Sequence, residues 1–210
     1  MLAIRPTITL PKHFNRFKKT LKTHAKAVDP YRDTSLRYMG YANEVGEAFT
    51  AFIPEWGVPA SYCVAASYVM FDTIDKGQKA YETADEETKI QDALKVSAET
   101  MTWQMLASVF WPGSIIRVIV NMSDNMIANK LTENEQTAHV LATLFGLVAI
   151  PMIIKPIDTT VDKVMETSIS KVIHGKIKTP EDASSAFMTS MGSFSVPPIM
   201  YSLASYIKSV

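Results

Sequence analysis

Apolar positions fall into a periodic stretch followed by continuous runs, with polar segments between them. From Leu36 they recur every three or four residues, at Met39, Ala42, Val45, Phe49 and Phe52, the spacing of one face of an α-helix. Asp29-Pro30 supplies a start, because Asp caps free backbone N–H groups and Pro is tolerated in a first helical turn. Pro54 interrupts the pattern, so an amphipathic helix is predicted from about residue 29 to 52. Asp33 and Arg37 are spaced to pair across one turn of it, as are Asn43 and Glu47.

Continuous apolar runs follow. Phe52 to Phe71 carries one charge, Glu55, near an end. About 20 residues at ~1.5 Å rise can cross a hydrocarbon core of about 30 Å, so this is a first candidate span. Ser61, Ala65 and Ala66 give it a small-residue face for close helix approach. Met101 to Val120 is a second, holding Trp103, Trp111, the Pro112-Gly113 break and one charge, Arg117. An arginine at that depth snorkels or finds an acid, and Glu55 is one candidate partner. Ala138 to Ile154 is charge-free and the most apolar; it reaches about 25 Å, extended by snorkelling of Lys155 and His139. Phe187 to Ile207 is uncharged but diluted by Ser, Thr, Gly and Pro197-Pro198, and reads as a fourth span or a surface helix. With no strand alternation and no solenoid repeat, the fold expected is all-α: an integral membrane protein of three or four transmembrane helices preceded by an amphipathic helix.

Composition changes this picture little; charge placement changes it more. The formal net charge of zero argues against a general nucleic-acid binder. From Met1 to Val28 there are bases and no acid, among them Arg16, Lys18, Lys19, Lys22 and Lys26, whereas Asp72 to Glu99 holds eight acids against four lysines. The leader has the composition of a mitochondrial targeting segment and is read as uncleaved; its lysines suit anionic lipid or a partner. Basic flanks stay on the side of insertion, which predicts the N-terminus in the matrix and Asp72 to Glu99 facing the intermembrane space. Lysines after the third run, at 155, 163, 171, 176 and 178, blur that rule. The boundaries expected are a basic extension over 1–28, a membrane core over 29–174 and a C-terminal extension over 175–210.

Candidate chemistry is sparse. Cys63 is the only cysteine, which excludes an intrachain disulfide and CxxC sites. The phosphate-loop, dinucleotide, nucleophile-elbow and zinc-protease signatures are absent, and no catalytic residue, metal site or cofactor is expected. Glu44 and Glu47 share a helix face but lack the Glu-x-x-His pairs of a di-iron site, so ion pairing is the favoured role. His139 and Glu135 lie one turn apart at a helix mouth. Arg117 reads as a structural charge, with an ion or proton path as the alternative. The Asn121-Met122-Ser123 sequon bears only on a secretory protein.

Four ordered blocks carry a family resemblance: YRDTSLRYMGYANEVGEAF from Tyr31, SYCVAASYVMFDTIDKGQKA from Ser61, WQMLASVFWPG from Trp103 and IPMIIKPIDTTVD from Ile150. The chain resembles the mitochondrial fission process protein 1 family of small multi-span inner-membrane proteins. The resemblance implies a role in fission and inner-membrane integrity, with no enzymatic activity or cofactor. It brings by position Arg32, Asp33, Arg37, Tyr41, Asn43, Glu44 and Glu47 from the first block, and Pro156, Asp158 and Asp162 from the last. The chain departs from the pattern in its basic leader, in its uncharged tail and in Lys155, where the family pattern suggests histidine.

The function expected is therefore a non-enzymatic, multi-pass inner-membrane protein supporting fission or membrane organisation, with the lipid bilayer and inner-membrane proteins as partners and no nucleic acid. The alternative is an accessory subunit of a large inner-membrane respiratory complex, docked through its extensions. A carrier or a soluble helical domain are weaker readings. Arg37, Glu44 and Glu47 are expected to be partnered.

Overall fold

A computed structural model describes residues 30–31 and 34–209, and within them every regular element is helical. The basic leader with Arg16, Lys18, Lys19, Lys22 and Lys26, and the first-block residues Arg32 and Asp33, lie outside the described residues. Asp29 lies outside the described residues, Pro30 and Tyr31 form a turn, and the first described helical element follows Thr34. Thr34 is the cap, its side chain accepting from the Leu36 N–H, and a 3₁₀ segment, Ser35–Tyr41, runs into the short helix α1, Ala42–Ala48.

Then come α2, Gly57–Thr83; α3, Lys89–Gln104; α4, Trp111–Lys130; α5, Glu135–Val164; α6, Ser170–Ile173; and α7, Pro180–Ser209. A π-helical segment, Met105–Phe110, joins α3 to α4, and another, Met165–Ile169, joins α5 to α6. The two joined helices, Lys89–Lys130 and Glu135–Ile173, are long and apolar enough to cross a membrane. They contain the second and third runs read from the sequence. The first run lies mostly in α2 and the fourth in α7, neither of which reaches that apolarity.

The greasy stripe of the amphipathic helix does not face the core. Leu36, Met39, Val45, Phe49 and Phe52 are exposed, whereas Asn43, Glu44, Gly46, Glu47 and Ala48 are buried. The reason is steric: α1 is wedged against α2, α4 and α5, and only its small, polar face permits that approach. A Cβ at Gly46 would lie 2.0 Å from Ser61 Oγ, and one at Gly146 of α5 would lie 2.6 Å from Val120 Cγ2 and 3.2 Å from Ala48 Cβ. The glycine of α1 and the small-residue face of α2 therefore meet.

The other helices repeat this inside-out arrangement. α7 turns Ala186, Ser193, Pro197 and Ala204 inward and leaves Phe187, Met188, Met191, Phe194 and Leu203 exposed. On α5, Ala138, Ala142, Gly146 and Ala149 are buried while Leu144, Phe145, Val148 and Met152 are exposed, Met152 by 70%. Small residues inward with large apolar residues outward is the pattern of helices packed in lipid. Apolar clusters remain between the helices, one joining Ala48, Ile116, Val120 and Ile150, and another joining Leu106, Ile157, Val161 and Met165.

α7 is a packed helix of the bundle and not a free arm. Trp111 Nε1 donates to the Ser193 carbonyl at 3.0 Å, Asn121 Nδ2 to Ala204 at 2.9 Å and Asn125 Nδ2 to Ile207 at 3.1 Å. Pro197 has no N–H to offer the carbonyl four residues before it, and that carbonyl is Ser193's. Ile207 lies in the last turn, where carbonyls have no intrahelical donor.

The start of the described chain and the acidic segment share one end of the bundle. Tyr68 Oη donates to the Tyr31 carbonyl at 2.6 Å, and Lys76 Nζ lies 5.9 Å from the Tyr31 ring centroid. The N-terminal leader, expected on the side opposite Asp72 to Glu99, lies outside the described residues, so this proximity concerns Tyr31 alone. Between Tyr31 and Lys76 the chain runs through the 3₁₀ segment and α1 and returns along α2.

Candidate functional site

Two connected polar features occupy the bundle: a buried network around α1 and a cleft at the end where the four blocks meet. Glu47 is the centre of the network. Its Oε2 accepts from Arg117 Nε at 2.7 Å and its Oε1 from Tyr62 Oη at 2.9 Å. Tyr62 has one hydroxyl proton, committed to Glu47, so the Tyr201 hydroxyl donates to Tyr62. The Arg117 guanidinium lies over the Tyr201 ring, 4.8 Å from its centroid. Four helices, α1, α2, α4 and α7, are thus tied at one ion pair. Arg117 takes Glu47 as its acid and not Glu55, which is exposed in the turn before α2.

Asn43 sits one turn earlier. Its Nδ2 donates to the Val109 carbonyl at 3.0 Å and does not pair with Glu47. The Val109 carbonyl belongs to the π segment just before Pro112, and Asn43 reaches it from α1. Gly113 faces the same spot and makes room for both Asn43 and Tyr62.

Glu44 overturns an expectation. It is fully buried, yet among the described residues neither carboxylate oxygen has a hydrogen-bond partner. A charge at such a position is costly without a counter-charge or donors. Glu44→Gln, which keeps the shape and carries no charge, should therefore leave thermal stability in detergent unchanged or raised; a loss of several degrees would mean that the carboxylate makes an ionic contact that holds the fold.

The cleft, about 400 Å³, is lined by residues of all four sequence blocks: Arg37, Gly40 and Tyr41; Tyr68; Trp103, Gln104, Ala107 and Ser108; Asp158 and Asp162. Arg37 Nε donates to Tyr41 Oη at 2.7 Å, and Asp158 lies within its electrostatic reach. Trp103 Nε1 donates to Asp162 Oδ1 at 2.7 Å. Gln104 anchors the floor, donating to buried Asp72 at 2.6 Å and accepting from Ser108 Oγ at 2.7 Å. Pro156 is exposed on α5 and does not line the cleft.

A second cleft, about 570 Å³, opens at the other end. His139 Nδ1 meets Asp124 Oδ1 at 2.8 Å there, with Glu135 at 3.6 Å from Nε2 and Asn121, Asn125 and Lys208 nearby. Among the described residues no group of His, Cys, Asp or Glu could hold a metal ion.

Of the residues singled out in the sequence, the structure places Arg37, Tyr41 and Asp158 at the cleft, and Asn43, Glu47 and Arg117 in the buried network. It missed Tyr62 and Tyr201 as network members. Tyrosines in apolar runs carry no spacing signal, although a polar tip in such a run needs a partner.

The arrangement defines an all-helical protein with two helices fit to cross a membrane, built around a buried ion pair and two polar clefts. Residues 21–93 and 78–165 match the family model described as Mitochondrial 18 KDa protein (MTP18), and the chain belongs to that family. It is 42% identical over 151 residues to the zebrafish (Danio rerio) protein named mitochondrial fission process protein 1, covering 71% of this chain and 92% of the relative. The human (Homo sapiens) protein of that name is 42% identical over 145 residues, 69% of this chain and 87% of the relative. The Caenorhabditis elegans protein of that name is 39% identical over 150 residues, 69% and 88%. No solved structure matches the chain. The family match stops before α7, so Tyr201 closes the Glu47 network from outside it. The relatives' names support a mitochondrial location and a part in mitochondrial fission.

Proposed function

We propose that the protein is a non-enzymatic, multi-pass protein of the inner mitochondrial membrane that supports fission by organising that membrane. One observation carries the membrane reading: polar groups face inward, apolar groups face outward, and the two polar clefts lie one hydrocarbon thickness apart. His139 and Asp158, nineteen residues apart on α5, are separated by about 28 Å. Trp103 and Asp124, twenty-one residues apart on the joined α3–α4 helix, are separated by about 31 Å. Both lengths fit a core of about 30 Å. In this reading α2, α4, α5 and α7 cross the bilayer, with α1 held among them.

The Asp158 end takes the side of insertion, the matrix, because the lysines at 155, 163, 171, 176 and 178 follow α5's apolar stretch there. The acidic α2–α3 hairpin then faces the matrix too, since Asp and Glu weigh little in this rule. The C-terminal end of α7 faces the intermembrane space.

Carbonate extraction of mitochondria should leave the protein in the membrane pellet, and depletion should lengthen the mitochondrial network. Topology is read with Cys63→Ala as background and single cysteines at Glu86 or Leu131. In mitoplasts, an impermeant maleimide should label the Leu131 variant and spare the Glu86 variant. Release by carbonate overturns the membrane reading; the reverse labelling overturns the orientation.

A further inference from the structure

We propose that the basic leader, residues 1–28, docks on an exposed apolar face of the α2–α3 hairpin, with the hairpin's acids holding its lysines and arginines. The inference rests on the membrane reading above, which puts that face outside the bilayer, and adds an occupant for it.

Two helices build the face. Gly77 of α2 looks at α3, since a Cβ there would lie 2.2 Å from Ser97 Oγ and 3.7 Å from the Ala93 carbonyl oxygen. At about 100° per residue, Ile74 and Tyr81 of α2 and Ile90 and Leu94 of α3 stand within a right angle of that contact and to one side of it. Because the two helices are antiparallel, joined by a short turn, it is the same side for both. All four residues are exposed, Ile90 by 69% and Leu94 by 65%. The other flank of α3 is engaged, with Glu99 Oε1 3.0 Å from His174 Nε2 just after α6. Lipid tails do not account for the face. Ile90 and Leu94 lie about 20 Å and 14 Å along α3 from Trp103, and Tyr81 about 20 Å along α2 from Tyr68, whereas headgroups add only about 5–7 Å to each side of the hydrocarbon.

Chain continuity, charge and pattern name the occupant. The Tyr31 carbonyl is held by Tyr68 Oη and its ring lies beside Lys76, so the leader enters at the hairpin's base. Residues 22–30 reach up to about 30 Å when extended, enough to carry the residues before them along the hairpin. The leader holds seven lysines and arginines and no acid, against eight acids and four lysines over Asp72 to Glu99. Asp72, Asp75, Glu86 and Glu99 are paired, whereas Asp85 and Glu87 at the exposed tip form no ion pair among the described residues. Leu10, Phe14, Phe17 and Leu21 recur at the spacing of one helical face among the leader's bases, a stripe matched to an apolar surface. An anionic membrane surface attracts the same bases. It leaves the hairpin's apolar face in water, however, and burial of that face decides for the hairpin.

The test uses the full chain, with Cys63→Ala as background and Phe17→Cys paired with Leu94→Cys or Ile90→Cys, both exposed positions. After reconstitution in phosphatidylcholine vesicles, mild oxidation should close an intrachain disulfide in at least one pair, read by mobility and peptide mass. Phe17→Cys with Gln91→Cys, exposed on the far side of α3, should give at least tenfold less. Asp85→Asn/Glu87→Gln should lower the yield about threefold, as should raising the salt, because screening weakens exposed charge pairs. Vesicles with one third cardiolipin should leave the yield intact. No bond in either pair, an equal yield at Gln91, or a yield indifferent to the two acids overturns the proposal. Loss of the bond in cardiolipin vesicles assigns the leader to lipid, and a crosslinked dimer assigns the face to a second copy; each overturns it as well. Failure here with the protein retained after carbonate extraction rejects the docking alone, whereas release by carbonate rejects the membrane reading beneath it.

Discussion

Arg117→Leu should destabilise the protein by about 3 kcal/mol at neutral pH, because it strands Glu47 with its charge inside the bundle. Glu47 is fully buried, and Arg117 Nε at 2.7 Å is its cationic partner. The loss stays below the upper end of the range for broken buried pairs, since Tyr62 still donates to Oε1 and the carboxyl can take up a proton. Uptake of that proton gives the effect a sign with pH: the deficit should shrink as pH falls and Glu47 becomes neutral. The charge-free pair Glu47→Gln/Arg117→Leu should recover at least half of the loss, because no unpaired ion remains. Thermal unfolding in detergent, read by tryptophan fluorescence, checks all three. Arg117→Leu with unaltered stability would mean that the ion pair is incidental to the bundle.

Gly113→Ala should cost about 2 kcal/mol or more, although Ala is the better helix former. Its Cβ would lie 2.3 Å from Tyr62 Oη and 2.8 Å from Asn43 Nδ2. Flexible tips usually move aside at little cost, but these two are held: Tyr62 by Glu47 and Tyr201, Asn43 by the Val109 carbonyl. Making room breaks hydrogen bonds among buried polar groups. Gly192→Ala is the control. A Cβ there meets nothing within 4 Å, so helix propensity acts alone and should raise stability by up to about 1 kcal/mol. The same substitution thus has opposite signs at two helical glycines, and a stabilised Gly113→Ala would count against the network.

Most of the helical content was legible from the chain. The runs within 101–120 and 138–154 fall inside the two helices fit to cross a membrane, because uninterrupted apolarity over that length has few other uses. The run at 187–207 was legible as a helix but ambiguous in role: Ser193, Pro197 and Ala204 dilute its hydropathy. Those residues are the ones turned toward the neighbouring helices, so what weakens the sequence signal is what lets α7 pack. The cleft was partly legible, since Arg37, Tyr41 and Asp158 were singled out from two distant blocks, while Trp103 and Asp162 were in view without a place in it.

What the sequence determines by itself is one-dimensional: helix lengths, apolar runs, an inventory lacking common catalytic signatures, and family membership through four blocks. Which face of α1 turns inward was decided only by tertiary structure. Periodicity marks two faces without saying which solvent each meets, and the wedge between α2, α4 and α5 admits only the face with Gly46 and Ala48. Tertiary structure also chose Glu47 over Glu55 for Arg117, and placed Tyr31 beside Lys76 at the end that carries the acidic hairpin. The physical reason is common to all three. Charge pairing and burial depend on distances between segments far apart in the chain, and local pattern is silent about distances that only packing sets.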